Sequence, residues 1–447
     1  MIISPRVAVP IILALALSAG IGGVFLYQIH SSISAIESSF GVQGSSTLLR
    51  RMLPTKNHML QPSVSQSQAL MDLRQGEIFE LKGEWKQAQD HYEKSVSSGG
   101  GSPALKKLAS IQLQRRQYDS AKKTIASLKE QYPRSEEITL LEGMLSLRTG
   151  NPSGAIAIFN RFPNSPQSHY GLGLTAISQN DIEGAKKELS LAANGTDPIV
   201  RTYAKTILAA FDEFALFPHG QHVHLQTLLA RSLAQVNECE TALPMLTTVV
   251  LKQERYRDAW IVKGYCEFNS ERLKDALTSL EQAYSLDPEK AETQYFLART
   301  HAALGDPQNA VTYLQYALLN GFTPEKDARD LLADYALELG NTDLALEQLK
   351  ILAQAKDSEL RAYERFVNLA AGNGNHALDA LQIAKEALVR WPDDSSTLSL
   401  AAKAAFGSGL PDDAQKYLST ALKLDPRNPR ALEVQKMMEK AEGATKK

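Results

Sequence analysis

The sequence predicts an all-α chain: a solenoid of antiparallel helix hairpins preceded by one transmembrane helix. Three observations predict it. An alanine recurs at near-constant separation through most of the chain, a small residue stands at a fixed distance before nearly every such alanine, and an uncharged apolar run lies near the amino terminus.

The apolar run comes first in the chain. Val7 to Ile29 reads VAVPIILALALSAGIGGVFLYQI and spans 23 residues. At about 1.5 Å rise per residue it reaches roughly 34 Å, enough for a hydrocarbon core of about 30 Å. Tyr27 sits near one end, where an amphipathic ring suits the interface. Ala14-Leu15-Ala16 has the small-residue form of a cleavage site, but the run continues well past it, which favours an uncleaved signal-anchor over residues 7–29. Arg6 precedes the span and no Lys or Arg follows until Arg50 and Arg51. The positive-inside rule therefore expects residues 1–6 in the cytoplasm and the body outside it, which in a Gram-negative bacterium is the periplasm. Ala16 and Gly20, Ser18 and Gly22, and Ala19 and Gly23 are each four apart, a spacing that lets membrane helices dimerise, although small residues are common in such helices. Residues 30–68 are rich in Ser, Gln and Gly, cannot bury enough apolar surface to offset ordering entropy, and are expected to be a flexible linker.

The repeat carries the fold. Alanines recur at Ala88, Ala121, Ala155, Ala185, Ala242, Ala276, Ala310, Ala345, Ala380 and Ala414, with separations of 33, 34, 30, 57, 34, 34, 35, 35 and 34. Twelve residues before each stand Gly76, Ala109, Gly143, Gly173, Ala230, Gly264, Ala298, Ala333, Asn368 and Ala402, nine of them Gly or Ala. Ordinary amphipathic helices would not keep that offset. Small residues at matched places on two helices let their axes approach, so each copy reads as a hairpin. Prolines at Pro133, Pro288, Pro392 and Pro426 end hairpins, because proline cannot continue a helix.

In the copy RDAWIVKGYCEFNSERLKDALTSLEQAYSLDPEK, Trp260, Gly264, Ala276, Ala283 and Pro288 stand at the places where the tetratricopeptide repeat has its signature residues. The segment resembles that family, and the resemblance runs over roughly residues 69 to 430. Lys263 and Glu267 depart from the family's Leu and Tyr. The resemblance implies a right-handed superhelix with a groove lined by the first helix of each repeat, and a role in binding other proteins or peptides. It places groove-lining side chains at the second, fifth, ninth and twelfth positions. In the middle repeats these are Arg231, Asp258, Ile261, Tyr265, Phe268, Tyr295 and Arg299. Aromatic residues and arginines are the types that dominate interface energies. A two-carboxylate clamp of the kind some members use is not supported: Lys106 fits one place, but Ser110 stands where Asn is needed.

Two irregularities shape the domain plan. The 57-residue gap holds one repeat plus 23 extra residues, in which Val200, Tyr203, Ile207, Phe211 and Phe214 fall at helical spacing. This is an extra amphipathic helix expected over 198–220, between repeats one to four (69–197) and repeats five to ten (221–428). Residues 429–441 have a first-helix pattern without a second helix and read as the cap that solenoids need; 442–447 is a tail.

Other classes are excluded or left open by composition. A net charge of −2 gives no basic footprint for nucleic acid. No catalytic motif is present, so an enzyme is not expected, and no cofactor is implied. His219, His222 and His224 form a cluster but lack a neighbouring Cys or carboxylate, so solvated loop histidines are favoured over a metal site. Cys239 and Cys266 fall at neighbouring ends of stacked helices; an oxidising compartment would permit a disulfide between them, and two separate buried thiols are the alternative. The resulting expectation is a single-pass membrane scaffold in a bacterial inner membrane, its body in the periplasm, gathering an envelope, secretion, pilus or polysaccharide complex. A cytosol-facing, membrane-tethered receptor is the alternative, and the orientation of the anchor separates the two.

Overall fold

A computed structural model describes residues 64–81, 84–217 and 219–445. The expected anchor at 7–29 and most of the linker lie outside these residues. Among the described residues no helix is long and apolar enough to cross a membrane. They form 22 helices and no strand, in two compact units that meet in sequence at Pro288 and Glu289.

The first unit holds six hairpins: α1 (Val64–Leu81) with α2 (Trp85–Ser97), α3 (Gly101–Gln114) with α4 (Tyr118–Gln131), α5 (Glu136–Arg148) with α6 (Pro152–Phe159), and α7 (Pro166–Ser178) with α8 (Ile182–Ala193). After the single helix α9 (Pro198–Ala215) come α10 (His222–Gln235) with α11 (Cys239–Lys252), and α12 (Arg257–Asn269) with α13 (Leu273–Leu286). Helix α1 begins inside the segment expected to be linker. The second unit holds α14 (Ala291–Ala303) with α15 (Pro307–Leu319), α16 (Glu325–Glu338) with α17 (Thr342–Gln354), α18 (Leu360–Ala370) with α19 (Ala377–Arg390), and α20 (Ser395–Gly407) with α21 (Pro411–Leu424). It ends on the single helix α22 (Pro429–Thr445).

Helix starts are written locally. Asp197 Oδ1 accepts from the backbone amides of Ile199 and Val200 at 2.9 and 3.0 Å, with Pro198 at the first helical position. Asn151, Asp181, Asp306 and Asp394 cap α6, α8, α15 and α20 in the same way. Each satisfies amides that a helix leaves unpaired at its start. Most turns inside hairpins carry a left-handed residue among the described residues. Gly305 supplies it in one hairpin, whereas Asn237 does so in another at φ 63°.

All ten repeat alanines are fully buried. A Cβ added to Gly264 would lie 2.5 Å from Leu280 Cγ, and one added to Gly173 would lie 2.7 Å from Leu189 Cγ. First and second helices therefore touch where the sequence pattern places them. The exception is Asn368, which is exposed. Six residues, 371–376, separate α18 from α19, against three between α12 and α13. Val367, at 0% exposure, takes the buried eighth place of α18, as Gly264 does in α12.

Helix α9 belongs to the core of the first unit. Ile207 is fully buried and Phe211 nearly so, while Val200, Tyr203 and Phe214 pack around the same cluster. Packed between α8 and α10, α9 carries the fifth hairpin back onto earlier ones: the start of α11 rests on α7. Polar contacts then join residues far apart in sequence. Arg148, at the end of α5, holds Glu238 through Nε at 3.1 Å and Nη2 at 2.6 Å. In the second unit, α22 covers the last hairpin with Ala431, Val434 and Met438 buried, as a cap requires.

If α9 is core rather than an appended helix, Ile207→Ala lowers stability by about 2–5 kcal/mol and Asp197→Ala by about 1 kcal/mol. Denaturant unfolding followed by circular dichroism measures both. Losses under half these values would place α9 outside the cooperative core.

Candidate partner-binding surface

The sixth hairpin carries most of the expected groove residues. Asp258 accepts from Arg257 at 2.7 Å, and Arg257 also pairs with Asp287. Burial alone would lower the Arg257 pKa, but the two carboxylates carry it above its ordinary value. Tyr265 packs at the margin of the first unit's core and is half-buried, as is Phe268. Ile261 is only 9% exposed and packs inward. Arg231, in the fifth hairpin, is engaged by Glu213 of α9. In the second unit Tyr295 is 5% exposed and stacks on Phe322 with centroids 4.1 Å apart. Arg299 lies over the Tyr295 ring at 5.8 Å.

Two of the seven expected residues, Ile261 and Tyr295, are thus withdrawn from the surface. Ile261 and Tyr295 are buried, one in helix packing and one by stacking on the turn after α15. Arg231 is partly accessible and pairs with Glu213 on the inserted helix, which the repeat pattern could not anticipate. Asp258, Tyr265, Phe268 and Arg299 keep partly accessible positions.

The two departures from the family pattern compensate each other. Lys263 Nζ lies 2.6 Å from Glu267 Oε1, one helical turn away, and 2.9 Å from Ser279 Oγ. Ser279 donates to the second Glu267 oxygen at 2.6 Å. Glu267 is 1% exposed. Lys263 Nζ also sits 5.6 Å from the centre of the Trp260 ring. A buried ion pair with these hydrogen bonds stands where the family has two apolar side chains.

Cys239 and Cys266 are joined as a disulfide, with Cα atoms 5.2 Å apart. This lies within the range a bridge spans. The bond ties the start of α11 to the late part of α12. The histidines take separate polar partners: His222 Nε2 is 3.2 Å from Asn180 Oδ1, and His224 Nδ1 is 2.8 Å from the Tyr256 hydroxyl. The His224 ring also packs edge-on against Phe217. His219 and His224 both line a shallow pocket of about 500 Å³ with Phe217, Val223 and Tyr256. Among the described residues no group of three His, Cys, Asp or Glu is arranged to hold a metal.

Against known sequences, models described as tetratricopeptide repeat match residues 268–325, and residues 106–169, 227–288 and 400–435. The chain carries tetratricopeptide repeats over these stretches. A protein-interaction scaffold of that type is the function its repeats support. The DnaJ homolog subfamily C member 7 homolog of Dictyostelium discoideum is 26% identical over 194 residues, 42% of this tetratricopeptide-repeat chain and 34% of the relative. The chain thus matches about a third of that relative's length. Among solved structures, YrrB, described as a TPR protein with an unusual peptide-binding site, is 19% identical. It covers 43% of this chain and 97% of its own, with a TM-score of 0.36. PilW, described as a type IV pilus biogenesis factor, is 20% identical over 48% of this chain and 99% of its own, with a TM-score of 0.34.

The Lys263–Glu267 pair generates a prediction. Glu267→Ala leaves a mostly buried ammonium unpaired and costs roughly 3–5 kcal/mol. Lys263→Leu combined with Glu267→Tyr, which restores the family residues, costs less than about 1 kcal/mol. Thermal unfolding of the two variants and the parent measures the difference; equal losses would contradict a coupled pair.

Proposed function

We infer that this tetratricopeptide-repeat scaffold is anchored in a membrane by residues 7–29 and gathers partner proteins or peptides on its extracytoplasmic side, without catalysis of its own. The Cys239–Cys266 disulfide carries the choice of compartment. Structural disulfides persist in oxidising surroundings such as a bacterial periplasm and are rare in a reducing cytosol. The apolar run and the position of Arg6 support the same orientation. On this reading the chain serves a bacterial envelope, secretion, pilus or polysaccharide complex from the inner membrane. The small residues of the span supply a face for pairing two copies. A cytosol-facing receptor, the second reading, would require these cysteines to be reduced.

Partner contact is assigned, unit by unit, to Asp258, Tyr265 and Phe268 in the first and to Arg299 in the second. Half-buried aromatics with a charged rim are the residue types that supply most interface energy.

The compartment is tested by labelling thiols with a maleimide–polyethylene glycol in the denatured protein, taken from cells quenched in acid. The expected result is no labelling until a reductant is added, together with activity of a carboxy-terminal alkaline phosphatase fusion, an enzyme active only outside the cytoplasm. Two labelled cysteines without reductant and an inactive fusion would overturn the extracytoplasmic reading. Tyr265→Ala with Phe268→Ala, and Arg299→Ala separately, are each expected to weaken capture of any partner by about tenfold or more while leaving the circular dichroism unchanged.

A further inference from the structure

Helix α1 presents apolar side chains at places that stacking buries elsewhere in the chain. These places lie five residues before and two after the small first-helix residue. In α3 they are Ala104 and Ile111, in α12 Ala259 and Cys266, and in α20 Thr397 and Ala404, each at most 1% exposed. The second helix of the hairpin before, α2, α11 or α19, packs on each of these first helices. Ile111 shares a cluster with Ala88 and Tyr92 of α2. In α1 the same two places hold Met71 and Ile78, 64% and 45% exposed, with Leu70 beside them at 55%. Among the described residues no helix precedes α1. A repeat array needs a polar outer face or a cover at its ends. The second unit meets that need with α22, whereas α1 offers an apolar stacking face.

The chain leading into α1 carries an occupant of matching chemistry. Residues 46–53 read STLLRRML, with Leu48, Leu49, Met52 and Leu53 as its apolar residues. At helical period these four fall on one face, and Arg50 and Arg51 fall outside it. Ten residues, 54–63, lead from this segment to Val64 at the start of α1. Fully extended they span about 33 Å, and the 18 residues of α1 measure about 27 Å. The segment can therefore reach every point of the face. Residues 30–68 as a whole hold too little apolar surface to build a core, but this segment need only cover a face already formed. Its tether also gives it an effective concentration in the millimolar range for short linkers, which a second copy or a free partner would have to match.

We propose that residues 46–53 of the same chain seat Leu48, Leu49, Met52 and Leu53 against Leu70, Met71 and Ile78 and so cap the first unit. The cap is independent of the partner contacts assigned above and of the membrane anchor. Where the anchor reading holds, capping shortens the free tether to residues 30–45 and keeps the repeat body close to the bilayer.

The test places photoreactive benzoylphenylalanine at Ile78 in the full chain and irradiates it in the membranes of the expressing cells. An adduct of monomer mass, joined within residues 46–53 by mass spectrometry, is the expected product. Leu49→Asp with Met52→Asp is expected to cut its yield at least about tenfold, with the helical circular dichroism of the purified variant unchanged. A dimer-sized adduct would give the face to a second copy, and an adduct with another protein or with lipid would give it to that partner. Either result, no adduct at all, or an unchanged yield in the double variant overturns the proposal. If the photoreactive chain does not fold, amide hydrogen exchange of the parent is compared with that of the double variant. Exchange in α1 is then expected to be at least about tenfold faster in the variant, with exchange in α20 and α21 unchanged; equal rates in α1 overturn the proposal.

Discussion

Every hairpin among the described residues except α18–α19, where Val367 takes the buried place, depends on a place where neither helix carries a side chain larger than a methyl group. The ten second-helix alanines are fully buried, and the glycines opposite them, such as Gly264 and Gly173, leave no room for a Cβ beside Leu280 and Leu189. Helix axes can then approach closely enough for leucines to interlock across the pair. A hairpin built this way buries one face internally and leaves another to be covered by its neighbour. Stacking follows from the same geometry, and so does the need for α22 at the end of the second unit.

The inserted helix changes what stacking produces. Helix α9 buries Ile207 and Phe211 among its neighbours and leads the fifth hairpin back to the ends of α3 and α5. The first unit consequently closes on itself through charge rather than through more helix packing. Arg148 and Glu238 meet in a site almost without water, where geometry and additional hydrogen bonds decide whether an ion pair is tolerated. The fork of Arg148 and the hydroxyl of Tyr170 supply both. In the same unit, Lys263 and Glu267 solve a similar problem on a smaller scale, with Ser279 completing the set. Polar groups thus carry structural duties in two places where a repeat array usually relies on apolar ones.

Periodic features were legible in the sequence because they recur. The alanine register located every second helix, and the three- and four-residue spacing from Val200 to Phe214 located α9. The register failed at Asn368, where a longer turn moved the buried place to Val367. Pairwise features were not legible. Nothing near Glu238 indicates Arg148, 90 residues earlier, and no period links them. The groove positions implied by the family were only partly transferable. Tyr295 is drawn inward by Phe322, Ile261 is buried in helix packing, and Arg231 answers to Glu213 on a helix that the repeat does not contain. The cysteine pair lay between these cases: neighbouring helix ends could be read from the register, but their approach to 5.2 Å could not.

The close approach of paired helices is tested most directly by the unfolding midpoint of Ala276→Leu against Thr278→Leu, two residues apart on the same helix, one buried and one exposed. Leucine at 276 is predicted to cost about 1–3 kcal/mol by forcing the axes apart, while leucine at 278 changes stability by less than about 0.5 kcal/mol. Equal midpoints for the two variants would contradict the packing on which the fold has been explained.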